Sequence, residues 1–178
     1  MHGIIFSLFN KFVRENYGQV MTTRISRISG MGYKFHDARK SYPDEEFTAL
    51  LDTACQELEQ PRDELLERFG YYITPTLLEE HASLINENWS CIDFLERVDP
   101  IIHGAMRKPE IGASPPTLIA DRVSENELTI EYRSGRSMDA MGVGIIKAVG
   151  KHYGHAVNVE ELDAEEGRKV LKVTLTSV

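Results

Sequence analysis

Two groups of residues in this chain have types and spacings that can do chemistry. The first is His103, set in an apolar run with Ile101, Ile102, Ala105 and Met106 around it and Phe94, Leu95 and Val98 before it. An imidazole in such a setting is a nitrogen base for a metal, and a usual axial ligand of haem iron. The second group is Tyr132-x-Ser134-x-Arg136, at the end of a β-patterned run. Alternate residues of a strand share a face. If the strand persists that far, a phenol, a hydroxyl and a guanidinium project together, while Arg133 points away. Those donors suit carboxylates, which Arg binds bidentately. Each group alone has a plainer reading. A lone histidine on an apolar helix face is more often part of the core, and a strand-end arginine is often solvated.

The elements that must position these groups follow from periodicity. Ile4, Ile5, Leu8, Phe9, Phe12 and Val13 make one apolar helix face, and Gly18 marks its end. A weaker, more polar helix spans roughly 19–28. Residues 29–41 read as a loop that leaves His36 in solvent. Pro43 and the acids Asp44, Glu45 and Glu46 open a helix with Phe47, Leu50, Leu51, Ala54 and Leu58 inward. Pro61 starts another, with Leu65, Leu66 and Phe69 inward, and Gly70 closes it. Thr74-Pro75 then reads as the cap and first residue of a further helix to Leu84. Tyr71 and Tyr72 fall at the boundary. Ser90 and Asp93 form a capping-box start for the helix that leads to His103. Pro100 either kinks that helix or marks its end. Residues 117–123 and 127–133 form a hairpin. A helix over 137–153 carries Gly142 and Gly144, which point to close approach by a bulky group. Gly154 ends it, and two strands close the chain. The architecture is α+β: an N-terminal helical lobe and a C-terminal antiparallel sheet with a helix, with a cavity between them.

Composition narrows the class. The chain has 178 residues, enough for one domain with a substantial core, and a net charge of −8. That charge argues against nucleic acid and against an anionic membrane surface. No apolar run is long enough to span a bilayer. The N-terminus lacks a signal-peptide pattern. Cys55 and Cys91 sit in helical patterns and read as buried thiols of a reducing compartment. These features predict a single cytoplasmic domain over residues 1–178. His152 and His155 form no metal-ligand set by themselves.

Spacing and context together resemble a known family. The opening Met1-His2-Gly3-Ile4-Ile5, the Tyr42-Pro43-Asp44 segment and the run Glu64 to Gly70 carry the resemblance. So do Phe94-Leu95, Asp99, His103, the Gly112 to Pro116 segment and Tyr132-x-Ser134-x-Arg136. These resemble the haem-nitric oxide/oxygen binding (H-NOX) domains, over nearly the whole chain. The resemblance implies haem b as cofactor, His103 as the iron ligand, and Tyr132, Ser134 and Arg136 on its propionates. It also implies Pro116 against the macrocycle, and Ile5, Phe9, Ile73, Leu77, Met141 and Ile145 at distal-pocket positions. Haem would be the bulky group near Gly142 and Gly144. The implied function is gas sensing without catalysis, with a diatomic gas such as NO or CO as ligand. Gas binding would alter iron–histidine coordination and shift the lobes. A separate signalling protein would read the change, commonly a histidine kinase or a cyclic-di-GMP enzyme. Oxygen-binding relatives carry a distal Tyr five residues after the motif Arg, where this chain has Met141, so NO is the expected signal. The alternatives are an oxygen-binding haem sensor, a haem enzyme of peroxidase type and a haem-free interaction domain. The cysteine-rich zinc site of some relatives has no counterpart after Cys91.

Overall fold

The computed structural model describes residues 1–32, 34–108, 113–162 and 169–177. Gly112, the start of the proline-rich segment noted above, lies outside them. Helix α1 spans Gly3–Ile28, but Gly18 sits at φ 87° and ψ 165°, so the helix breaks there into the two pieces the sequence predicts. That φ favours glycine because it lies where a Cβ is penalised. Helices α2 (Asp44–Leu58) and α3 (Arg62–Glu80) pack with α1 around Phe6, Phe9, Phe12, Phe47 and Phe69. Edge-on contacts such as Phe9–Phe69, with centroids 5.0 Å apart, join the three helices.

The C-terminal lobe is a four-stranded antiparallel sheet in the order β1-β2-β4-β3. Its strands are β1 (Thr117–Arg122), β2 (Glu127–Arg133), β3 (His155–Leu162) and β4 (Lys169–Ser177). The inner face, with Leu128, Ile130, Leu171 and Val173, packs on α4 (Cys91–Arg97) and α6 (Asp139–His152). Ser90 and Asp93 form a complete capping box. Burial pushes the Cys91 thiol up to about 11, as expected of an unreactive core cysteine.

Four local expectations change. Gly70 does not end α3, and Thr74-Pro75 lies within it. A Cβ at Gly70 would collide with the Met141 carbonyl of α6, so this glycine serves helix–helix contact. Pro75 cannot donate to the Tyr71 carbonyl; beside it, the Thr74 hydroxyl donates to the Gly70 carbonyl at 2.8 Å. Tertiary packing, not propensity, carries the helix through.

Gly144 likewise meets the α3 backbone, at the Glu67 carbonyl and the Tyr71 amide, so its close neighbour is a helix and not a cofactor. Gly142 has space, with the Tyr132 ring 3.7 Å from an added Cβ. His36 is buried, stacked 3.9 Å from Phe6, with Nε2 3.0 Å from Glu46 Oε2. The loop folds back because Gly3 lets the Asp37 carbonyl approach the start of α1. Finally, Pro100 neither kinks a continuous α-helix nor ends it. Residues Val98–His103 form a π-helical turn, followed by the short α5 (Gly104–Met106). A proline here cannot donate to the Glu96 carbonyl, and the wider turn takes up the mismatch.

Candidate cofactor site

His103 is the last residue of the π-helical turn, and its side chain is 17% exposed. Its Nδ1 lies 3.3 Å from Asp99 Oδ1, one residue before Pro100. Asp99 is itself tied down. Arg107 grips both carboxylate oxygens at 2.8 and 3.1 Å, and the Leu118 amide of β1 donates to Oδ1 at 2.9 Å. Burial pushes the Asp99 carboxyl up, but these donors outweigh it and hold it below the ordinary range. An ionised Asp99 fixes the proton on Nδ1 and leaves Nε2 free as a metal ligand. Burial also lowers the His103 pKa against the opposing pull of Asp99, which favours the neutral, ligating form. Asp99, already among the residues that carry the resemblance, and Arg107, which the sequence reading did not pick out, complete the histidine's setting.

The three polar residues of the fork also meet, though not through strand alternation. Strand β2 stops at Arg133, and residues 134–137 turn, with the Arg136 amide donating to Ser134 Oγ at 3.1 Å. The turn still brings Tyr132, Ser134 and Arg136 to one cavity, while Arg133 pairs outward with Glu131 at 2.8 Å. Burial raises the Tyr132 phenol above its ordinary value, against the pull of Ser134 beside it. Arg136 Nε donates to Asp44 Oδ2 at 2.7 Å, and its Nη1 donates to the Ser114 carbonyl. The other oxygen of Asp44 accepts from the N-terminal ammonium. Burial raises the Asp44 pKa, but Arg136 and the ammonium outweigh it and leave it lowered.

These groups border one cavity of about 670 Å³ between the lobes, within the range of ~300–1,000 Å³ usual for ligand sites. Its walls are mainly apolar. The helical lobe gives Ile4, Ile5, Ile73, Leu77 and Leu78, and α6 gives Met141, Gly142, Ile145 and Ile146. The other side has Ile102, His103, Met106, Pro115, Pro116 and Leu118. Phe9 is placed differently from the sequence expectation. It does not line the cavity but is fully buried among Phe12, Phe47 and Phe69, because it joins the three helices. Tyr71 and Tyr72 border a separate shallow cleft. The Tyr72 hydroxyl donates to Glu15, and its pKa is pushed up to about 12 by burial and that carboxylate. His2 and His81 line the cavity as well, and neither was picked out from the sequence. Among the described residues no cluster of three His, Cys, Asp or Glu side chains could hold a metal ion. No described helix is long and apolar enough to cross a membrane.

An apolar slot, one oriented histidine and a carboxylate-binding fork at its edge define an α+β domain shaped for a flat, metal-centred cofactor with acidic side chains. Porphyrin iron fits each part: apolar walls for the ring, Nε2 of His103 for the metal, and Tyr132, Ser134 and Arg136 for the propionates. The Haem-NO-binding family model matches residues 2–161, and the chain belongs to that family. Its cofactor is haem, and the domain is of the haem-based gas-sensing type. The fold agrees with solved H-NOX structures. One is a protein from S. oneidensis in the Fe(II)NO state, at TM-score 0.89 and 18% identity, covering 99% of this chain and 100% of that one. Another is an Fe(II) unliganded protein from K. algicida, at TM-score 0.88 and 21% identity, covering 100% and 98%. A third is the I5F mutant of the T. Tengcongensis H-NOX, at 0.85 and 23%, covering 99% and 97%. No curated protein matches the chain.

Proposed function

We propose that this protein is a single-domain nitric oxide sensor that signals to a separate effector, such as a histidine kinase or a cyclic-di-GMP enzyme, in the cytoplasm. His103 is the proposed iron ligand. Ile5, Ile73, Leu77, Met141 and Ile145 form the proposed gas-facing wall, and Pro116 presses on the ring. Haem supplies the ferrous iron that takes the gas. The chain's own residues decide which gas is held.

The observation that carries the reading is the chemistry of that wall. None of these five side chains carries a hydrogen-bond donor. Tyr71 and Tyr72 border another cleft. The hydroxyl of Thr74, which also lines the cavity, donates to the Gly70 carbonyl. Iron-bound dioxygen carries partial negative charge and gains most from a donor, whereas NO and CO need one less. These five side chains offer no acid–base group of the kind peroxidase chemistry requires, although His2 and His81 also line the cavity. Gas occupancy signals only if it favours one arrangement of the lobes over another. Met1, Asp44 and Arg136 join the N-terminus, the start of α2 and the propionate fork, and so offer a contact through which such a shift can pass.

The test is optical. Ferrous protein prepared without oxygen is exposed in turn to NO, CO and air. Shifted Soret bands with NO and CO, and no stable oxygen complex in air, are the expected result. A persistent oxy spectrum would refute the NO reading.

A further inference from the structure

His2 lines the same cavity, and among the described residues neither of its buried ring nitrogens has a partner. A buried imidazole without partners costs about 1–3 kcal/mol, so a group that enters the cavity and accepts a hydrogen bond would relieve it. The surroundings say which group. The backbone of residues 1–3 is clamped to the 40–42 loop: the Gly3 amide donates to the Lys40 carbonyl at 2.7 Å, and Tyr42 to Met1 at 2.8 Å. The Met1 ammonium and the Arg136 guanidinium grip opposite oxygens of Asp44. His2 therefore stands one residue from a cluster that contains the fork arginine. Arg39, on the facing loop, also borders the cavity. The carboxylates near this edge are already held, Asp44 by the Met1 ammonium and Arg136, and Asp37 by Arg39. Burial and the neighbouring ammonium both lower the His2 pKa. A neutral imidazole still has one N–H to donate.

We propose that His2 is a second carboxylate-binding residue of the site, donating to a propionate of haem at the edge shared with Arg136. The inference rests on the haem reading and adds to it a residue outside the Tyr132, Ser134 and Arg136 motif. It also assigns the cavity's unpartnered donor near Arg136 to the cofactor's acidic edge and not to the bound gas.

The experiment measures haem loss to excess apomyoglobin from the wild type, His2→Phe and His2→Gln. His2→Phe should release haem about tenfold faster, as expected for loss of one hydrogen bond to a charged acceptor. His2→Gln, which keeps a donor, should lie near the wild type. With haem dimethyl ester, the gap between the wild type and His2→Phe should narrow. Equal melting temperatures of the apoproteins would locate the effect in binding and not in folding. Equal release rates for all three proteins would overturn the proposal. So would a C–O stretch of the carbonyl complex that moves in His2→Phe, or a low-spin six-coordinate spectrum that disappears in it, since either puts His2 at the iron. A wild type that takes up no haem would overturn the underlying reading itself, and is distinguished by having no Soret band.

Discussion

His103 is the proposed iron ligand, and Asp99 lies 3.3 Å from its Nδ1. Asp99 is held by Arg107 and the Leu118 amide, so it has little freedom to leave His103 Nδ1. His103→Gly is expected to lose haem, or to keep it only with imidazole supplied; normal retention with an unchanged iron–histidine Raman stretch would refute the assignment. Asp99→Asn should keep the ligand but weaken haem binding by about 10–100-fold and lower the iron–histidine stretch. The two arginines of the motif make a second contrast. Arg136 borders the cavity, whereas Arg133 is paired with Glu131 and half exposed. Arg136→Ala should therefore raise the haem dissociation rate well above that of Arg133→Ala. Equal rates would count against the fork.

Helices α3 and α6 form the element-scale foundation of the site, because they carry Ile73 and Leu77 on one side and Met141 and Ile145 on the other. Their glycines set how closely the backbones meet. Gly144→Val would drive a branched side chain into the Glu67 carbonyl and should destabilise the protein by about 2–3 kcal/mol, as overpacking does. Gly142→Ala offers the contrast. Its Cβ makes an ordinary contact with Tyr132, so the apoprotein should gain up to about 1 kcal/mol from helix propensity. Urea unfolding of the two variants, compared by midpoint, checks both. The π-helical turn acts at the same scale. It places His103 at its end, four residues after Asp99, and so joins the ligand to its orienting carboxylate.

At the scale of the whole molecule, the cavity is the space left between two separately packed cores, one around the phenylalanines of α1–α3 and one between the sheet, α4 and α6. A ligand that fills such a space stabilises both lobes together. At haem concentrations about 100-fold above Kd, linkage adds about 2.7 kcal/mol. For a chain of this size that raises Tm by roughly 5–10 °C. Calorimetry on apoprotein and haem-loaded protein measures the shift, which should grow with haem concentration. An unchanged Tm would mean that haem does not bind between the lobes.

The sequence alone determined most of the elements and the two polar groups that reach the cavity. Local signals decide those matters: Ser90 with Asp93 makes a cap whatever lies nearby, Gly18 breaks α1, and alternation marks β1 and β2. His103 and Tyr132-x-Ser134-x-Arg136 were legible because their chemistry is carried by residue type and short spacing. Tertiary structure decided what depends on distant partners. Gly70 and Thr74-Pro75 read locally as a helix end and a start, yet packing of α3 on α6 outweighs that preference. Gly144 faces a helix backbone 77 positions earlier at Glu67, and His36 is buried because a loop returns to Gly3 and Phe6. Phe9 shares the periodicity of Ile5 but is taken up by the aromatic cluster instead of the cavity wall. The positions of Asp99 against His103 and of His2 in the cavity came from a π-helical turn and a clamped N-terminus. Asp99 and His103 stand at i,i+4, but what fixes Asp99 there includes the Leu118 amide, and what fixes His2 is the clamp to residues 40–42, both set by tertiary structure.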